Sequence, residues 1–154
     1  MRDILSQLVD HFQGAIPGLD ADLPYVCVTK HPWRNLKTAS SERKIPLVGE
    51  ALWAARRIIE ADTASNFAFS RYNRGSTTAA NSASAALNKW LKHYVQAGCT
   101  MHSFRHSMRD RLRAVQCPAD ITDQIGGWTT DGVGQGYGSG YPLSVLRDWL
   151  EKAK

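Results

Sequence analysis

The chain has 154 residues, 43% hydrophobic and 21% charged, with a formal net charge of +5, which is the make-up of an ordinary globular protein and excludes both a disordered chain and one too small to bury a core. No apolar run approaches the roughly 18 residues of a membrane span, and the opening MRDILSQLVDHF contains acidic groups and lacks a signal peptide's apolar stretch, so a cytoplasmic chain with no membrane partner is expected. Three cysteines, Cys27, Cys99 and Cys117, form an odd count without CxxC spacing, which argues against a disulfide framework, a zinc site and redox chemistry.

In chain order, residues 1–13 read as helical, and the turn-rich GAIPGLDADLP carries the chain into PYVCVT (24–29), whose alternating valines predict a strand. After HPWRN, the run LKT, the polar turn ASSE and the run RKIPL predict a hairpin with Lys37 and Lys44 on its two arms. Residues 48–61 (VGEALWAARRIIEA) have helical apolar spacing. SRYNRGSTTAANS is loop by composition, and Ser82 or Asn81 is placed to cap the helix SASAALNKWLKHYVQA, in which Ala86, Trp90 and Tyr94 recur at i, i+4 and i+8. A helix over 103–115 is expected to bury Phe104, Met108, Leu112 and Val115. Pro118 opens a further short helix with Ile121 and Ile125 one turn apart and Gly126 at its end. TTDGVGQGYGSGYP holds too much glycine for regular structure, and LSVLRDWLEKA closes the chain as an amphipathic helix. There is no internal repeat. The expectation is one domain over 1–154, mainly α with a small antiparallel β-sheet (α+β).

Basic residues cluster in HPWRNLK, SERK, RYNRG and HSMRDRLR, and with a pI near 9.3 they point to a polyanionic partner, although solvated surface accounts for such clusters as well. The most informative cluster is HSFRHSMRDRLRAV (102–115), where His102 and Arg105 stand three positions apart and so share a helix face. A His-x-x-Arg pair alone is more often a local hydrogen-bonding pair than a catalytic one. Here it is followed by IGGW (125–128), and nine residues beyond Trp128 stands Tyr137.

That order resembles the C-terminal catalytic domain of the tyrosine recombinases, the phage integrase family. LKTASSERKIPL resembles the family's β-hairpin, and NSASAALNKWL and YGSGYPLSVLRDWL resemble integrases of prophages and genomic islands; together the likeness spans roughly residues 24–154. It implies the tyrosine recombinase catalytic-domain fold and a site-specific DNA recombinase that breaks and rejoins double-stranded DNA through a 3′-phosphotyrosine, without metal or other cofactor. Tyr137 would be the nucleophile. Arg105, His102 and Trp128 would stabilise charge on the phosphate, with Trp128 restricted to donation because its indole has one N–H and no acceptor. Lys37 would protonate the leaving 5′ oxygen, with Lys44 and Lys30 as competing lysines. Tyr141 is the rival nucleophile, but its distance from Trp128 departs from the family spacing and it precedes a proline, where extended backbone is expected.

One departure bears on activity. The family's first arginine lies in a Gly-x-Arg-x-x-Glu-Leu-like motif upstream of the hairpin; here Arg2 is the sole arginine before Arg34, and Leu5 takes the place of the acid. The implied domain is thus truncated at its N-terminus or degenerate there, the family's DNA-clamping core-binding domain is not expected in it, and the isolated fragment should be weakly active at best. The alternatives are a catalytically incomplete DNA-binding remnant of the same fold, a type IB topoisomerase-like enzyme, and a helical protein whose basic patches meet acidic partners. The resemblance further implies a homo-tetramer on DNA for the full-length protein, with the isolated domain a monomer whose last helix, bearing Val145, Leu146, Trp149 and Leu150, folds back on its own domain.

Overall fold

From residue 24 onward, the strands at 24–29 and in RKIPL and the helices expected from apolar spacing form, and the last three helices share one core with the second strand. A computed structural model of the chain describes residues 22–30, 36, 41–60, 67–72, 78–128 and 140–154. Two strands, β1 (Tyr25–Val28) and β2 (Arg43–Pro46), pair antiparallel, with Tyr25 opposite Pro46 and Val28 opposite Arg43. The ladder extends one step past Pro46, where the Leu47 N–H donates to Pro24 O at 2.8 Å. Five α-helices follow among the described residues: α1 (Gly49–Glu60), α2 (Ala80–Leu91), α3 (Ser103–Ala114), α4 (Ala119–Gly126) and α5 (Leu143–Lys152), with a 3-10 turn at Ser70–Tyr72 ahead of α2. The described residues therefore form a mainly helical structure with a two-stranded antiparallel sheet, the expected α+β class.

The expected strand over 24–29 and the RKIP strand are both present, and they pair with each other. Leu36 lies in no strand, and Lys37 and Thr38, the remainder of the expected first hairpin arm, fall outside the described residues, as does the helix expected over 1–13. Among the described residues no helix is long and apolar enough to cross a membrane, and Cys27, Cys99 and Cys117 are free thiols. Partial burial pushes the ionisation of the Cys117 thiol up from its ordinary value.

The core is built by β2 and α3 to α5. Leu112, Ile121, Ile125, Leu146, Leu150 and Ala153 are buried together, and Ile45, Val48, Val115, Leu143, Val145 and Trp149 pack around them. Ile121 and Ile125 sit one turn apart as expected, and α5 lays Leu146 and Leu150 against its own chain. The two short helices meet through a tight turn. Gln116 adopts φ 59°, its N–H donates to Arg113 O and the Cys117 N–H reaches Leu112 O, both at 2.9 Å, a Schellman ending that redirects the chain into Pro118 and α4.

Three expectations are corrected. On α2 the covered stripe is Ala83 and Leu91; Trp90 is 54% and Tyr94 69% exposed, and the helix ends at Leu91. Asn81 and Ser82 do not cap it: the N-cap is Ala79, whose N–H is held instead by Tyr72 O at 2.8 Å. On α3, Leu112 is buried but Phe104 is 56% exposed and Met108 37%. Residues four apart drift around a helix, so the stripe from 104 to 112 turns by about 80°, and its later end alone faces α4 and α5.

Leu146 has no exposed surface, so Leu146→Ala should cost about 2–5 kcal/mol in urea denaturation. Because α5 packs on its own β2 and α3, the unfolding midpoint should not depend on protein concentration.

Candidate functional site

Helix α4 ends in a pair of glycines whose freedom sets the geometry of everything beside them. Gly127 takes a left-handed conformation with φ 61°, and the N–H groups of Gly127 and Trp128 both turn back to Asp123 O. This reversal folds the Trp128 indole over Gly126 so closely that a Cβ at residue 126 would stand 1.9 Å from a ring carbon.

The last carbonyls of a helix have no partner within it and carry its negative end. In α4 two arginines from other elements fill that need. Arg43 on β2 donates from Nε to Ile125 O at 3.1 Å and from Nη1 to Ser41 O at 2.7 Å. Arg105 on α3 donates from Nη1 to Gly126 O at 2.8 Å. Its Cζ also lies 4.4 Å from the centroid of the Trp128 ring, and Arg109, one turn further along α3, brings its Cζ to 5.1 Å from the same centroid. Three guanidinium groups and the Trp128 indole ring thus gather at the carboxyl end of α4.

The start of α3 is fixed from two sides. The Met101 N–H donates to Asn88 Oδ1 of α2 at 2.7 Å, while Ser103 and Thr100 bond reciprocally, Thr100 N–H to Ser103 Oγ at 3.1 Å and Ser103 N–H to Thr100 O at 2.8 Å. His102 stands between these anchors. Its ring meets His106 edge-on at a centroid distance of 4.9 Å.

Of the residues singled out from sequence, Arg105 and Trp128 are in direct contact, and His102 lies one turn before Arg105 on the same helix with its ring against His106. Lys37, Tyr137 and Arg2 lie outside the described residues. Of the competing lysines, Lys44 rests its ammonium 5.0 Å above the Tyr25 ring and Lys30 is exposed. Arg109 and the carbonyl-binding role of Arg43 were missed from the sequence. The i, i+4 spacing of Arg105 and Arg109 was the available signal for the first; the second needs the pairing of β2 beside α4.

Tyr141, the rival nucleophile, is held at the other end of α4. Its N–H donates to Gln124 Oε1 at 2.8 Å, its carbonyl accepts from Gln124 Nε2 at 3.0 Å, and its hydroxyl donates to Asp120 Oδ2 at 2.5 Å. The hydrogen bond to Asp120 pushes the phenol's ionisation above its ordinary value, and the same bond holds the Asp120 carboxyl below its own. A phenol tied to a carboxylate resists the proton loss that nucleophilic attack requires.

Two outcomes follow. Gly126→Ala should displace the Trp128 ring and cost about 1–3 kcal/mol, seen as an altered tryptophan emission together with a lower urea midpoint. For the Asp120–Tyr141 pair, the lowered Asp120 value contributes stability that is present above the unfolded carboxyl value of about 3.9 and is lost as pH falls through the folded one. The raised Tyr141 value contributes stability that is present below about 10 and is lost as pH rises through the folded one. Tyr141→Phe should therefore flatten both the acid and the alkaline limbs of urea stability against pH, by a small amount because the pair is solvent-exposed.

Compared with known protein families, curated proteins and solved structures, the chain has no match.

Proposed function

We propose that the chain is the catalytic domain of a site-specific DNA recombinase of the tyrosine type, as carried by prophages and genomic islands, acting on double-stranded DNA through a 3′-phosphotyrosine. The observation that carries this reading is the contact between Arg105 and Trp128 at the carboxyl end of α4. Two residues distant in sequence, whose order matches the motif, meet at one basic site. The net charge of +5 supports a polyanionic partner.

In the proposed reaction the Tyr137 oxygen attacks phosphorus, the bond to the 5′ oxygen breaks, and that oxygen takes a proton from Lys37. The phosphorane formed on the way bears extra negative charge on its nonbridging oxygens. Arg105 presents guanidinium N–H groups to them and Trp128 a single N–H. His102, one turn away, donates to the same phosphate or accepts the tyrosine proton. The 3′-phosphotyrosine conserves the energy of the broken bond, so that the 5′ hydroxyl of a second strand reverses the step.

The test is covalent trapping. The chain is incubated with a pool of random-sequence duplexes carrying 5′-bridging phosphorothiolate linkages, whose sulfur leaves without a general acid and cannot rejoin. The expected result is an SDS-resistant adduct mapped to Tyr137, abolished in Tyr137→Phe, retained in Tyr141→Phe and slowed about 100- to 1,000-fold in Arg105→Gln. Failure to form an adduct with any duplex, or an adduct that survives Tyr137→Phe, would overturn the proposal.

A further inference from the structure

Of the three guanidinium groups at the end of α4 the reaction above uses Arg105 alone; Arg43 donates to the Ile125 and Ser41 carbonyls, which leaves Arg109. Arg109 is half-buried, with its Cζ 5.1 Å from the Trp128 centroid beside Arg105 at 4.4 Å. Among the described residues no carboxylate lies within ion-pair distance of it. The single acid on α3, Asp110, is directed to Arg113 at 3.4 Å. Arg43 adds a third cation to the same helix end, through its bond to Ile125 O. The carboxyl end of a helix supplies only about half a negative charge, and an indole face attracts cations without neutralising them. Arg109 therefore brings to the cluster a positive charge that no described carboxylate neutralises, held against the indole face beside Arg105.

The shape of that charge selects among anions. Arg105 and Arg109 stand one turn apart on α3 and share one aromatic platform, so their guanidinium groups are held near each other at a set spacing. Planar forks so arranged suit an anion with several oxygens on one centre, which a phosphate group provides and a carboxylate does so less fully. We propose that Arg109 is a second phosphate-binding arginine of this site, sharing a DNA phosphodiester with Arg105 across Trp128. Only the identity of that phosphate as the reacting one rests on the recombinase reading; the phosphate site itself does not.

The experiment measures binding of the full chain to a duplex of arbitrary sequence as a function of salt, for the unaltered protein and for Arg109→Gln, Arg109→Lys and Arg113→Gln, each first shown to be folded by circular dichroism. Each phosphate neutralised contributes about 0.9 to the slope of log K against log salt. Arg109→Gln should lower the slope by about that amount. Arg109→Lys should retain the slope yet slow the covalent trapping reaction about 10-fold, since it keeps the charge and loses the fork. Arg113→Gln should change neither. A slope unchanged in Arg109→Gln, or lowered equally in Arg113→Gln, would overturn the assignment and leave Arg109 as a support for the indole. The two readings fail separately. A lowered slope with no trapped adduct keeps the phosphate site and removes the recombinase, whereas trapping at full rate with an unchanged slope in Arg109→Gln keeps the recombinase and removes the role of Arg109.

Discussion

The rest of the structure turns on how the carboxyl end of α4 is satisfied. An eight-residue helix has few internal hydrogen bonds and a large share of unpaired carbonyls. Here Ile125 O and Gly126 O are met by Arg43 from the sheet and Arg105 from α3. Each bond joins a charged donor to a carbonyl at the negative end of a dipole, which makes it stronger than a neutral pair. The same two bonds fix β2 and α3 relative to α4, so one electrostatic requirement organises three elements and leaves the cationic groups gathered at a single place.

Trp128 completes that place because the two preceding glycines let the chain reverse on itself. Its indole covers Gly126 and offers its face to Arg105 and Arg109. Tyr141 is committed, its backbone clamped by Gln124 and its hydroxyl by Asp120, and it serves to seat the start of α5. Tyr137 lies in sequence between these two anchors, Trp128 and Tyr141, both of which rest on α4.

Much of the architecture was legible in the sequence. The strand over 24–29, the helix after Val48, the isoleucine pair of α4 and the apolar face of α5 follow from periodicity, and of these the isoleucine pair and the α5 face meet the core along the face their spacing defines. The stripes of α2 and α3 were misread. Trp90, Tyr94, Phe104 and Met108 have the right intervals but lie where no described element covers them, and periodicity specifies a face without specifying what lies opposite. In the site, Arg105 and Trp128 were legible because their chemistry is uncommon and their order distinctive. Arg43 was not, since its role depends on β2 lying beside α4, a long-range pairing that no local pattern encodes. His102 lies one turn before Arg105 on the same helix, and its ring meets His106, a neighbour equally well placed by helical spacing.

The Gln124 side chain adds a third tie to α4, this time to the lead-in of α5. A helix bound through its carbonyls to a strand and a second helix, and through a side-chain amide to a third, has no cheap way to fray. Its amide hydrogens should exchange with solvent only when the core opens as a whole, which places α4 in the most slowly exchanging cooperative unit of the fold. The arginines at its end are then held in position by the stability of the whole domain.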